Sequence, residues 1–163
     1  MTNHTLIALV ENRPGVLNRV ASLIRRRNFN IESIAVGHSE VPGISRMTIV
    51  VDGATTAVEQ VRKQLEKLIE VVKVTDITQG SIIIRELALI KVHTTAATRS
   101  EIMQIVDIFR AKIVDVASDS LIVEVTGDEE KIDSLYNLLR RFGIKELART
   151  GRIALTRGGN GTD

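Results

Sequence analysis

The chain has 163 residues, 44% of them apolar, and its 22 basic and 20 acidic side chains leave a net charge of +2. That is material for one ordinary domain or two small ones. With no cysteine, disulfides, thiolate zinc sites and cysteine nucleophiles are excluded, and one Tyr, three Phe and no Trp leave little on which nucleic-acid bases can stack.

The first half reads as alternating strands and helices. Residues 4–11 are an apolar strand. Pro14 to Arg27 form a helix with Val16, Val20, Leu23 and Ile24 on one face, Pro14 suiting its first turn. Phe29 to Gly37 form a second strand, Val41-Pro42-Gly43 turns the chain, and 45–52 form a third strand that Asp52-Gly53 breaks. Ala54 to Leu68 form a second helix, with Val58, Val61, Leu65, Leu68 and Ile69 at helical spacing, and 71–78 a fourth strand. The order is βαββαβ, the ferredoxin-like plan.

Gln79-Gly80-Ser81 marks a break, after which the same order recurs. Strands are predicted at 86–93, 112–117, 120–126, 144–147 and 152–155, with helices at 98–110 and 129–141. Thr98 or Ser100 caps the first of these helices. The fold class is therefore α+β, two tandem ferredoxin-like domains over 1–78 and 84–163 joined by a linker at 79–83. The glycine-rich end, 157–163, is expected to be a loose tail. Edge strands of such sheets invite pairing with a second copy. The first strand is apolar on both faces, and a homodimer is expected, its sheets packed face to face or joined edge to edge.

No apolar run approaches the ~20 residues of a membrane span, and Met1-Thr2-Asn3-His4 lacks the start of a secretory signal. A cytoplasmic chain with neither nucleic-acid nor membrane partners is expected. His4, His38 and His93 lack the spacing of a metal pair, and Arg25-Arg26-Arg27 ends a helix where cations complement the dipole. No Ser–His–Asp arrangement, phosphate loop or metal motif is present, so the chain reads as non-catalytic.

The informative stretch is Glu11-Asn12-Arg13-Pro14-Gly15-Val16-Leu17-Asn18-Arg19-Val20, followed by Asn28-Phe29-Asn30-Ile31-Glu32-Ser33. A strand, a tight polar turn and a helix leave first-turn amides that attract a small carboxylate. Asn12 is either a turn residue or a ligand contact. Gly15 either relieves crowding or lets a ligand approach the backbone. Asn30 opens a strand, where Asn is disfavoured, which points to a specific role. Ile31 is either core or the wall of an apolar pocket.

These residues carry a resemblance. Asn12 to Val20, Asn30-Ile-Glu-Ser33 and Ser45-Arg-Met-Thr-Ile49 resemble the regulatory small subunits of acetolactate synthase (acetohydroxyacid synthase). So do Arg85 to Val92, Ile108 to Val116 and Ala148-Arg-Thr-Gly151 in the second half. Asn-X-Pro-Gly-Val-Leu alone would indicate only an ACT domain, a widespread amino-acid sensor.

The resemblance implies an N-terminal ACT domain that binds valine and a homodimer with ligand sites between two ACT domains. Asn12, Pro14, Gly15, Val16 and Leu17 would come from one copy, Asn30 and Ile31 from the other. It further implies a catalytic large subunit as partner, which holds thiamine diphosphate, magnesium and flavin. The small subunit would raise that partner's activity and confer feedback inhibition by valine in branched-chain amino-acid synthesis. Rival readings are a free-standing ACT sensor for another enzyme or a transcription factor, and a small enzyme on the same fold.

Overall fold

A computed structural model describes residues 2–158 of the chain; of the expected tail, 159–163 lie outside the described residues. The chain divides into two compact units, one running to Ile83 and resuming from Ile153, the other spanning Ile84–Arg152.

In the first unit β1 (Thr2–Glu11), α1 (Val16–Arg26), β2 (Asn30–His38), β3 (Ile44–Gly53), α2 (Thr55–Glu66) and β4 (Val71–Asp76) follow in that order. The sheet order is β2-β3-β1-β4, every pair antiparallel. Apolar residues at helical spacing explain the packing. Val16, Val20, Leu23 and Ile24 of α1 and Val58, Val61 and Leu65 of α2 close over Leu6, Ala8, Val10, Met47, Ile49 and Val51 of the strands. Ile69 does not join them. The helix stops at Glu66, and Ile69 lies 88% exposed beyond it.

The second unit repeats the plan with β5 (Ile82–His93), α3 (Arg99–Ile108), β6 (Lys112–Val116), β7 (Ser120–Gly127), α4 (Glu129–Leu139) and β8 (Ile144–Arg149). Its sheet order is β6-β7-β5-β8. Asp128 caps α4 by accepting from the Lys131 amide. At α3 neither expected cap acts. Thr98 occupies the capping position, but its side chain accepts from the Thr95 amide instead.

A last strand, β9 (Ile153–Thr156), pairs with β5 and counts with the first unit. The Ala154 carbonyl accepts from Arg46 Nη2 at 2.8 Å, and the Arg157 amide donates to Ser81 at 2.8 Å. By pairing, β9 is the fifth strand of the β6-β7-β5-β8 sheet, as the sequence pattern predicts, while by compactness it groups with the first unit.

Neighbouring residues of β1 point to opposite faces of the sheet, and both sets include buried side chains. Besides the core side, Thr5, Ile7, Thr48 and Val50 are buried within a single copy. The sheet has two edge strands, β2 and β4, and every residue of β2 is exposed or half-buried.

One polar cluster ties β1 to β4 inside this unit. His4 is buried, and its Nδ1–H donates to Asp76 Oδ2 at 3.0 Å. The Thr78 amide donates to Asp76 Oδ1 at 3.0 Å, the Thr78 hydroxyl donates to the same oxygen, and Thr78 in turn accepts from the Thr5 amide. Burial opposes the charged carboxylate, but the bonds from Thr78 and His4 outweigh it and hold Asp76 below the usual carboxylate range. A depressed folded pKa stabilises the fold above the unfolded pKa and ceases to do so as pH falls through the folded one. Asp76→Ala is expected to lower unfolding free energy at pH 7 by about 1–2 kcal/mol, a charged hydrogen-bond value reduced for partial exposure. Urea titrations across pH should show the gap between wild type and variant closing as the solution becomes more acidic than the ordinary carboxylate range.

Candidate functional site

The turn between β1 and α1 is fixed by its backbone. The Asn12 amide donates to the Gly43 carbonyl at 2.9 Å, and the Glu11 amide to Glu70 at 2.8 Å. Arg19, one turn into α1, pairs with the buried Glu70 carboxylate. The loop is therefore held by the β2–β3 hairpin on one side and by the segment before β4 on the other.

Gly15 occupies the capping position of α1 with φ +85°, a left-handed conformation natural to glycine. The helix thus begins at Val16, and Pro14 stands in the turn before it, not in its first turn. A β-carbon on Gly15 would meet nothing within 4 Å, so the position faces open space. No side chain caps the helix and no acid lies in its first turn. The Val16 amide reaches Arg13 at 3.4 Å, while among the described residues the amides of Gly15, Leu17 and Asn18 have no backbone acceptor. Pro14 has no amide hydrogen to offer. The arrangement is an uncapped, positively polarised helix end above an open glycine.

The individual side chains separate into roles. Asn12 and Pro14 are exposed, Leu17 is 50% exposed, and Val16 is buried in the core, where it anchors the start of α1. Asn30 is exposed and its Nδ2 donates to Glu32 Oε1 at 2.6 Å. Ile31 is half-buried and packs on the core from β2. Asn28, at φ 63°, ends α1 and turns the chain into β2. Gly53 leaves room for the Phe29 ring, which a β-carbon there would strike at 2.1 Å.

Register shows which of these residues one copy brings together. Glu11 pairs with Ile44, whereas Asn30 pairs with Asp52. Both partners lie on β3 (Ile44–Gly53), eight residues apart, which at ~3.3 Å per residue is about 26 Å. Asn12, Gly15 and Leu17 therefore cluster at one end of the sheet, and Asn30 and Ile31 sit at the other. A single copy does not unite them. Asp52, which sequence patterning treats only as a strand terminator, pairs directly with Asn30; only strand register reveals that neighbour.

Comparison with known proteins agrees along the whole chain. A family described as "AHAS small subunit-like ACT domain" matches residues 6–73, and one described as "Small subunit of acetolactate synthase" matches 85–158. A protein of Archaeoglobus fulgidus named as a probable acetolactate synthase small subunit is 59% identical over 155 residues, covering 95% of this chain and 97% of its own. The acetolactate synthase small subunit of Bacillus subtilis is 55% identical over 150 residues, 91% of this chain and 87% of its own. The crystal structure of the Thermotoga maritima acetolactate synthase small subunit superposes with a TM-score of 0.90 at 46% identity, over 96% of this chain and 98% of that one.

The open geometry at Gly15 isolates a backbone effect. Gly15→Ala is expected to cost roughly 1–2 kcal/mol, the penalty of a left-handed alanine. Thermal unfolding should show a lower midpoint for this variant. A midpoint equal to wild type would mean that the turn is free to change its conformation.

Proposed function

The chain belongs to the family of acetolactate synthase small subunits, and we propose that it is the non-catalytic partner that activates the catalytic large subunit and makes it sensitive to valine. Membership in this family favours that reading over a free-standing sensor. Thiamine diphosphate, magnesium and flavin are assigned to the large subunit, and this chain carries regulation only.

The observation that carries the valine proposal is the division of the candidate residues between opposite ends of one sheet. β2 is an edge, and antiparallel pairing of two β2 strands reverses direction across the pair. That pairing sets the uncapped α1 end of one copy towards the Asn30 end of its partner. Valine's carboxylate then takes the amides around Gly15 and Leu17, and Asn12 and Asn30 orient its polar end. The isopropyl group lies against Leu17 and Ile31. The ligand bridges two copies and so favours one relative orientation.

Regulation requires that valine bind two states of the complex with different affinity. A ligand shared between copies meets this condition, because the copies' mutual orientation is the variable it senses. Reconstituting the large subunit with this chain should raise acetolactate formation, and valine should lower it again.

Calorimetric titration should give saturable heat with valine. Leucine and isoleucine should bind more weakly, since one methylene of mismatch is worth ~1–3 kcal/mol. Asn12→Ala and Asn30→Ala should each lose roughly 1.5–3 kcal/mol of valine affinity, the worth of a hydrogen bond to charge. No heat together with no effect of valine on the reconstituted complex would sink the proposal.

A further inference from the structure

The α-ammonium of the ligand needs a counter-charge, and the residues considered so far supply none. Asparagines offer dipoles, and the helix end is polarised to suit the carboxylate. The end of β3, opposite the start of β2, holds a better candidate. Asp52 is the register partner of Asn30 on β3, so the two side chains share one face of the sheet. Among the described residues, Asp52 Oδ1 is buried and accepts no hydrogen bond. An unpaired buried carboxylate oxygen is costly unless a donor completes it.

A second carboxylate lies on β2 itself, while the cations Arg25, Arg26 and Arg27 end the helix before it. Glu32 is the extra residue of the β-bulge between Ile31 and Ser33, and Asn30 Nδ2 is directed to the Glu32 carboxylate. Asn30 is thereby flanked by two acids. One of its two amide hydrogens is engaged there, and its carbonyl oxygen can accept a hydrogen bond. The two ends of the sheet offer different hydrogen-bonding groups. The Gly15 end presents amide hydrogens and the Asn30 end presents carboxylate and carbonyl oxygens. A zwitterion is complementary to the two ends once copies meet.

We infer that Asp52 is a specificity-determining residue of the amino-acid site, its Oδ1 accepting the α-ammonium of valine beside Asn30. This inference rests on the proposed valine site and adds the basis for choosing an amino acid over the related hydroxy acid. Asp52 holds the ammonium by an ion-paired hydrogen bond, and the Asn30 carbonyl takes a second of its hydrogens. An α-hydroxy acid of the same skeleton offers neither a charge nor three donors.

The test uses the full-length chain, its Asp52→Asn variant, which preserves shape, and two ligands, valine and 2-hydroxy-3-methylbutanoate. Calorimetry of wild type should show valine much preferred. In the variant valine affinity should fall roughly ten- to hundredfold while hydroxy-acid affinity changes little, so the preference collapses. Circular dichroism and sedimentation velocity on both proteins establish that fold and association state are kept. Wild-type binding with an unchanged preference in Asp52→Asn overturns the role of Asp52 and leaves the valine site standing. Loss of self-association in the variant with selectivity retained also overturns it, assigning Asp52 to a contact between copies. A wild type that binds neither ligand, alone or with the large subunit, overturns the site and this inference together.

Discussion

Antiparallel register in the first sheet is the constraint from which the functional reading follows. β1 and β3 pair along their whole lengths, from Thr2 with Gly53 to Glu11 with Ile44. β2 is threaded on the far side of β3 with Asn30 opposite Asp52. The turn after β1 and the start of β2 are therefore held at opposite ends by two ladders of backbone hydrogen bonds. A shift of one residue would turn Leu6, Ile49 and their neighbours out of the core, so this separation is strongly enforced. A site that needs both ends must use two copies, and a ligand in it reports on how the copies are arranged.

The same architecture fixes the backbone at both ends that the proposed site would use. At the turn, Gly15 is left-handed, Asn12 is tied to Gly43, and Arg19 is paired with Glu70. At the other end, Phe29 settles over Gly53, and the bulge at Glu32 aims the edge next to Asn30. The turn at Gly15 is held by these contacts in a single conformation, and such preorganisation lowers the cost of binding. Differential affinity between arrangements of the copies is then available for regulation.

Much of this was legible in the sequence. The βαββαβ order, the repeat and nearly all core residues follow from periodicities of 3.6 and 2. The limits of that reading have physical causes. Pro14 suits a first helical turn, yet the left-handed Gly15 behind it delays α1 to Val16. Val16 belongs to the motif by position, but its side chain is core, since the helix must bury one face as it begins. β9 adds to β5 in the second sheet, yet its Ala154 carbonyl accepts from Arg46, more than a hundred residues away in sequence, which local pattern does not foresee. Asp52 reads as a strand end, and its place beside Asn30 exists only once register is set.

The central claim is that each amino-acid site is completed by two copies. The direct measurement co-expresses Asn12→Ala and Asn30→Ala chains under different tags, isolates the mixed pairs through both tags, and titrates them with valine. In a mixed pair one site carries both substitutions and the other carries neither. The account predicts recovery of wild-type affinity at half the wild-type stoichiometry, although each variant alone binds weakly. Mixed pairs that bind as weakly as the separate variants would contradict it and place the whole site within one copy.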